Sequence, residues 1–194
     1  MPIITLSRQL GSGGDEIAQR VATRLGLRLV GRELINQAAR QAGVPEVALA
    51  ELDELGLLGL KPTRAAMRLY REKVTAIMHD LARAGDLLLL GRGGQIVLAE
   101  YPYTLHVRVI APRAVRIQRV QELGGLSLEA ATARVDASDR ARASYLRRYF
   151  GLRSHAAELY DLVLNTARLS IEAAVDLICL AAERMAASKE TDRS

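Results

Sequence analysis

The stretch TLSRQLGSGGDEIAQRV occupies residues 5–21 and follows an apolar start to the chain. Its first residues continue an Ile-rich run that favours a strand, whereas the spacing of the apolar residues over 15–25 favours a helix. Gly11, Gly13 and Gly14 lie between the two. Such a loop can bind an anion, because its bare amide groups and the positive end of the helix dipole face the same point. The stretch therefore predicts a phosphate site at the carboxyl edge of a parallel sheet.

The loop matches the common phosphate-binding pattern G-x-x-x-x-G-K-[ST] at only one of its four defining positions. When the pattern is aligned on Gly13, the lysine falls on Gly14, the Ser/Thr on Asp15 and the first glycine on Arg8. In the common pattern the lysine reaches the β- and γ-phosphates and the hydroxyl binds Mg²⁺. Two interpretations stay open: a phosphate loop in which other side chains replace these groups, and a turn that only lets a strand and a helix pack closely.

Three polar side chains near the loop are candidates for replacing the missing groups. Arg8 can supply positive charge, Ser12 can donate a hydrogen bond from its hydroxyl, and Asp15 can bind Mg²⁺ directly or through water. The alternative for Arg8 is an ion pair at the surface. The alternative for Asp15 is the N-cap of the first helix.

Short apolar runs alternate with helical patterns along the chain, which predicts βαβ units and a parallel sheet. We predict an α/β fold, a three-layer α/β/α sandwich, with five strands over 3–7, 27–30, 87–91, 104–110 and 161–165. The predicted helices cover 15–25, 33–41, 63–83, 112–122 and 170–187, and a further helix begins near residue 128.

Composition limits the class of protein. A chain of 194 residues, 49% of them hydrophobic, is long enough for one buried core and short for two domains. The single cysteine, Cys179, excludes an internal disulfide framework, and no apolar run approaches the ~20 residues of a membrane span. We therefore expect a cytoplasmic protein without a membrane partner.

The net charge of +5 raises the possibility of a nucleic-acid partner. Most cations are arginines interspersed with acids, and aromatic residues make up only 4% of the chain, so platforms for base stacking are scarce. One denser patch, DRARASYLRRYFGLR over 139–153, can hold a small polyphosphate as well as a duplex. We therefore do not expect nucleic acid to be the partner. An RNA-associated protein is the weakest of the three functional hypotheses considered below.

Three further segments suggest a family. They are LLLLGRGGQIVL over 87–98, DASDRARASYLRR over 136–148 and YDLVLNTARLSIEAAVDLI over 160–178. Together with residues 7–26, they resemble the cytidylate kinase-like branch of the nucleoside monophosphate kinases, over nearly the whole chain. The resemblance implies strand order 2-3-1-4-5 and a single domain over 1–188. It also implies a helical acceptor-binding insertion over about 33–83 and an arginine-rich lid over about 134–153. The polar end of the chain, which contains no core residues, predicts a disordered tail over 189–194.

The resemblance also suggests site residues, although the motifs match unevenly. Arg92 matches the arginine of the family's GRD, whose acid is Gly93 here. Three residues match the family's lid motif RDxxDSxR: Asp136, Asp139 and Arg142. The implied ligands are ATP, Mg²⁺ and a nucleoside monophosphate. The resemblance implies acceptor binding by Arg32, Arg92 and Asp139 and charge stabilisation by Arg140, Arg142 and Arg148. The residues of the glycine loop themselves predict charge stabilisation by Arg8, ATP binding by Gly11, Ser12, Gly13, Gly14 and Asp15, and Mg²⁺ binding by Asp15.

The leading hypothesis is therefore ATP-dependent phosphoryl transfer to a nucleoside monophosphate such as CMP or dCMP. The alternative is a nucleotide-binding sensor or interaction module with little or no transfer, because Gly14, Gly31 and Gly93 stand where charged side chains are expected. The sequence leaves monomer and homodimer both open.

Overall fold

The structure, a computed structural model, describes residues 2–31, 35, 36, 39, 40, 43, 63–152 and 156–191. About half of the insertion expected over 33–83 lies outside the described residues. Of the helix predicted over 33–41, the structure describes residues 35, 36, 39 and 40, and all four are helical. The division into one domain, an insertion and a lid stays a prediction.

Five strands form the sheet: β1 (Ile3–Arg8), β2 (Arg28–Val30), β3 (Leu87–Leu90), β4 (Thr104–Ile110) and β5 (Leu162–Asn165). The described helices are α1 (Gly14–Leu25), α2 (Arg64–Ala84), α3 (Gly94–Val97), α4 (Arg113–Gly124), α5 (Leu128–Phe150) and α6 (Ile171–Thr191), with a 3₁₀ turn at Ala157–Leu159. The predicted strands therefore agree with the structure to within one residue at each end.

The sheet has the order β2-β3-β1-β4-β5, and every neighbouring pair is parallel. In the centre, Ile4 is paired with Leu88 on one side and with Leu105 on the other. The predicted α/β fold class and strand order are confirmed. In such a sheet the loops after the strands gather at one edge, where ligands bind.

The apolar strands supply both faces of the sheet with core residues. Alternate side chains of a strand point to opposite faces. Leu88 and Leu90 pack on one side, in the cluster that includes Ile17 of α1 and Ile178 of α6. Leu87 and Leu89 pack on the other side, with the residues of α2. Both faces are thus covered, as expected for a parallel sheet.

Helices α4 and α5 form a hairpin that follows β4. Its own small core consists of Ile117, Val120, Ala131 and Val135. Ser127 caps α5 by accepting a hydrogen bond from the amide of Ala130 at 3.1 Å. The segment that was predicted to be a lid is therefore largely one long helix held against its neighbour.

The last helix runs farther than expected. Residues 189–191 belong to α6, whereas a disordered tail was expected from 189. The reason is local, since the end of this helix contains no glycine or proline that would stop it. Among the described helices, none combines the length and the apolar character needed to cross a bilayer.

Candidate functional site

The glycine loop joins β1 to α1 at the carboxyl edge of the sheet. Gly13 takes the N-cap position of α1 in the left-handed conformation, with φ of 77°, and no side chain caps the helix with a hydrogen bond. The first turn of a helix leaves amide groups without intrahelical acceptors. The start of α1 therefore offers N–H groups and a positive dipole end to an anion.

Close packing requires glycine at residue 11. A Cβ on Gly11 would lie 2.5 Å from the carbonyl oxygen of Arg116, which is backbone. A Cβ on Gly13 would lie 2.5 Å from Cδ1 of Ile171, but this atom is the end of a flexible side chain. The close-packing interpretation thus accounts for Gly11, and it does not conflict with anion binding by the amides.

Ser12 holds the loop from the inside. Its side chain is buried, and its hydroxyl donates to the carbonyl oxygen of Gln9 at 2.7 Å. Its own carbonyl oxygen accepts a hydrogen bond of 2.7 Å from Oγ1 of Thr166, which follows β5. The hydroxyl predicted to face a ligand is directed into the protein, so that in this structure Ser12 shapes the loop.

Arg8 and Asp15 form the ion pair of the loop. Nε and Nη2 of Arg8 donate to the same Oδ1 of Asp15, at 3.0 and 2.8 Å. The side chain of Arg8 is only 16% exposed, while that of Asp15 is 62% exposed. The side chain of Arg8 is therefore largely buried, unlike that of an arginine in an ion pair at the protein surface. Asp15 is not the N-cap, because Gly13 takes that position.

Two glycines make room for Arg8. A Cβ on Gly14 would overlap Cβ of Arg8 and would lie 2.9 Å from its Cγ. A Cβ on Gly91 would lie 2.9 Å from Nη1 of Arg8. The arginine side chain thus runs from the end of β1, across the first residue of α1, to the loop that follows β3.

Arg92 lies in that second loop and is 8% exposed. Its φ of 56° is in the left-handed region, where non-glycine residues are uncommon and tend to occur at functional sites. Its guanidinium carbon lies 4.9 Å from the centre of the Tyr145 ring, a cation–π distance, and the Tyr145 hydroxyl donates to the carbonyl oxygen of Arg92 at 3.3 Å. Helix α5 therefore holds the loop after β3 in place.

Gly93 has no space for the acid of the family pattern. A Cβ at this position would lie 2.6 Å from Cε2 of Phe150, at the end of α5. Two of the three missing charged side chains, those at Gly14 and Gly93, thus have their space taken by Arg8 and Phe150.

The lid acids are paired with arginines of the preceding helix. Asp136 accepts from Nε and Nη2 of Arg113, at 2.8 and 2.7 Å. Asp139 accepts from Nη1 and Nη2 of Arg116, at 3.1 and 2.8 Å. The hydrogen bonds from Arg113 lower the pKa of Asp136, and the charge of Arg140 adds to this effect. In this structure Asp139, predicted to contact the acceptor, instead links α4 to α5.

The lid arginines differ in exposure. Arg140 and Arg148 are exposed, whereas Arg142 is half-buried, with its Nε 3.4 Å from Oγ of Ser138. Arg148 also contacts Oγ of Ser144 at 3.3 Å. Asp136 and Asp139 are paired with Arg113 and Arg116 of α4.

Two arginines that are absent from the predicted site lie beneath the glycine loop. Arg116 is 3% exposed and donates to the carbonyl oxygens of Ala111 and Leu10, at 3.0 and 3.4 Å. Arg119 donates to Oγ1 and the carbonyl oxygen of Thr166, at 2.9 and 2.8 Å. Both arginines lie in the first two turns of the helix after β4, and this helix begins at the same sheet edge as the loop. That position in the sequence could have identified them as candidates for the site.

A cavity of about 460 Å³ lies beside the loop, at the carboxyl ends of β4 and β5. Its walls combine apolar side chains with Arg108 and the carboxamides of Gln9 and Asn165. The guanidinium of Arg108 lies 5.4 Å from the ring centre of Tyr160 and donates to its hydroxyl at 3.4 Å.

The acceptor side of the site is only partly described. Arg32, predicted to bind the acceptor, lies outside the described residues. No three His, Cys, Asp or Glu side chains come together as a metal site within the ranges that the structure describes. Mg²⁺ in phosphoryl-transfer sites commonly takes one or two carboxylates and completes its shell with phosphate oxygens and water. Asp15, exposed at the edge of the loop, fits one such ligand position.

The chain is similar in sequence to known proteins. A sequence profile of the cytidylate kinase-like family matches residues 3–168. The cytidylate kinase of Ignicoccus hospitalis is 29% identical over 179 residues, which cover 92% of this chain and 97% of that protein.

Solved structures share the fold. The crystal structure of an uncharacterized protein from Eubacterium ventriosum has a TM-score of 0.75 at 17% identity, covering 94% of this chain and 99% of that one. A gluconokinase from Sinorhizobium meliloti has a TM-score of 0.60 at 13% identity, covering 100% and 98%. At these identities the two structures establish the fold alone.

Proposed function

Because the chain belongs to the cytidylate kinase-like family, we propose that it transfers the γ-phosphoryl group of ATP to a nucleoside monophosphate such as CMP or dCMP. Membership of this family supports a nucleotide kinase. The choice of ATP as the donor and of CMP or dCMP as the acceptor goes beyond what family membership alone supports, and both are proposed here.

One observation carries the proposal: the loop after β1 and the loop after β3 adjoin. Nη1 of Arg8 lies against Gly91, the residue before Arg92. A donor triphosphate on the first loop and an acceptor phosphate on Arg92 are thereby next to each other. Phosphoryl transfer depends mainly on such positioning and on positive charge around the transferred group.

The chain's own groups divide the work as follows. The amides at the start of α1 and the guanidinium of Arg8 hold the donor phosphates, and Arg92 holds the acceptor phosphate. An acceptor oxygen attacks the γ-phosphorus, the bond from that phosphorus to the bridging oxygen breaks, and ADP leaves. Arg140, Arg142 and Arg148 stabilise the charge that spreads over the phosphoryl oxygens and help to exclude water. Bound Mg²⁺ would neutralise phosphate charge, with Asp15 as its carboxylate ligand.

A sensor with little transfer is the second candidate. It is favoured by the occupied spaces at Gly14 and Gly93, since neither the usual lysine nor the usual acid can enter without displacing Arg8 or Phe150. On this hypothesis the protein binds nucleotides at the same loop and reports their presence to a partner.

An enzyme-linked assay of ADP formation, with a panel of ribo- and deoxyribonucleoside monophosphates, separates the two candidates. We expect CMP or dCMP to give the highest kcat/KM. Arg92→Lys should raise the KM for the monophosphate by about tenfold, because it loses the planar fork that grips a phosphate, and should leave ATP affinity unchanged. Arg24→Gln, at an exposed ion pair with Asp176, is the matched control. ATP binding without acceleration by any monophosphate would favour the sensor.

A further inference from the structure

We propose that Arg8 does the work of the lysine that this loop lacks, and that Asp15 holds its guanidinium until a nucleotide phosphate displaces the carboxylate. The inference rests on the proposed function, because it concerns how the same loop binds the β- and γ-phosphates.

Arg8 and a side chain at residue 14 exclude each other sterically. Gly14 stands at the lysine position of the common pattern, and any side chain there would meet Cβ and Cγ of Arg8. Arg8 stands at the first glycine position, where the common pattern has no side chain at all. The two differences from the common pattern therefore form one exchange. The common pattern has glycine at the end of β1 and lysine at the first residue of α1, whereas this chain has Arg8 at the end of β1 and Gly14 at the first residue of α1.

The side chain of Arg8 points towards the loop that follows β3. Arg8 lies across Gly14, and its Nη1 reaches the space that a Cβ on Gly91 would need. The guanidinium thus lies between the start of α1 and the loop that carries Arg92. A charge at this point faces the phosphates farthest from the nucleoside, which is where the lysine of a phosphate loop acts.

Asp15 binds the guanidinium of Arg8. Its Oδ1 accepts from both Nε and Nη2 of Arg8, the edge of the guanidinium that otherwise grips a carboxylate or phosphate with two parallel hydrogen bonds. Asp15 is 62% exposed, so its side chain can turn to solvent without crossing the packed interior. A phosphate that replaces it gains the uncapped amides of α1 as well as Arg8. Asp15 therefore keeps Arg8 oriented until the nucleotide arrives.

The test is the affinity of AMP, ADP and ATP, measured by titration calorimetry without Mg²⁺. Arg8→Gln should weaken ATP at least about tenfold and AMP much less, because Arg8 contacts the distal phosphates. Gly14→Lys alone should also weaken ATP, since the lysine and Arg8 need the same space. The exchange variant R8G/G14K, which rebuilds the common pattern at these positions, should recover most of the ATP affinity. Arg20→Gln, on the exposed side of α1 where Arg20 pairs with Glu16 and Glu172, is the control and should bind like the wild type.

The outcomes separate this inference from the proposed function. If the wild type binds no nucleotide, the proposed function fails. If the wild type binds ATP and folded Arg8→Gln binds it equally well, only the inference is overturned. Should Arg8→Gln fail to fold, the exchange variant decides: ATP binding stronger than that of Gly14→Lys supports the inference, and binding no stronger overturns it.

Discussion

At the scale of single residues, Gly93 shows how a side chain from another element can exclude the residue that a family pattern calls for. Phe150 takes the space beside Gly93, and Gly93 itself has φ of 73°. Gly93→Ala should therefore lose stability for two reasons, backbone strain and overlap. Gly26, with φ of 66° and no atom near its Cβ position, offers the same backbone conformation without the overlap.

We expect Gly26→Ala to cost about 1 kcal/mol and Gly93→Ala about 2–4 kcal/mol in the free energy of unfolding. Urea denaturation of both variants gives the comparison. Equal losses would mean that Phe150 moves away without cost and that the acid is missing for another reason.

Asp15 allows a second prediction at this scale. Because its carboxylate competes with phosphate for Arg8, Asp15→Asn should tighten the binding of ADP without Mg²⁺ by about two- to fivefold, the range of a partly exposed ion pair. If Asp15 is also a ligand of Mg²⁺, the same variant should lose the gain in affinity that the ion gives the wild type. Weaker binding of ADP without Mg²⁺ would contradict the competition.

At the scale of elements, two ion pairs join α4 to α5, and they differ in burial. The guanidinium of Arg116 is buried and also bonds the glycine loop, whereas the pair between Arg113 and Asp136 lies at the surface. Asp139→Asn should cost about 2–3 kcal/mol of unfolding free energy, because it weakens charge-assisted hydrogen bonds to a buried cation. Asp136→Asn, three residues away on α5, should cost less.

Chemical denaturation of the two variants, at one pH and salt concentration, measures this difference. If Asp136→Asn lowers the free energy of unfolding as much as Asp139→Asn does, the burial of Arg116 does not make its pair with Asp139 more stabilising than the pair between Arg113 and Asp136.

The centre of the sheet contains a buried histidine whose protonation affects stability. Burial lowers the pKa of His106 below 6.5, and the charge of Asp161 opposes this. Nδ1 of His106 lies 2.7 Å from Oγ1 of Thr5. Since the unfolded chain takes up this proton at a higher pH than the folded protein, the contribution of His106 is present above about pH 6.5 and is lost as the pH falls.

Urea denaturation at pH 7, 6 and 5 checks this prediction. The wild type should lose stability over this range, and His106→Asn should lose less. His79→Asn, at a half-buried position on α2, is the control and should behave like the wild type. A wild type that is equally stable at pH 7 and 5 would contradict the prediction.

At the scale of the whole molecule, the fold was predictable because β1, β3 and β4 are short apolar runs between helical patterns, which few architectures accommodate. The strand order came from the family resemblance. Gly91 leaves β3 because its φ is 82°. Asp161, predicted to start β5, lies just before that strand and still bonds β4: its amide donates to the carbonyl oxygen of His106 at 2.8 Å, and its Oδ2 accepts from the amide of His106 at 2.7 Å.

The site was less predictable, because its contacts join residues far apart in the sequence. Arg8 and Asp15 were identified as candidates from their place beside the glycines, and their pairing follows from the turn between them. The contact of Arg119 with Thr166, and that of Phe150 with Gly93, depend on how α4 and α5 pack on the sheet edge. No local pattern in the sequence carries that information.

The central claim is that a nucleotide binds at the glycine loop with Arg8 on its phosphates. A crystal structure with a non-hydrolysable ATP analogue and Mg²⁺ tests it most directly. We expect the β- and γ-phosphates against the amides of Gly13 and Gly14, with Arg8 released from Asp15 and bonded to a phosphate oxygen. An analogue bound elsewhere, or Arg8 still paired with Asp15 while the loop carries no phosphate, would contradict the account.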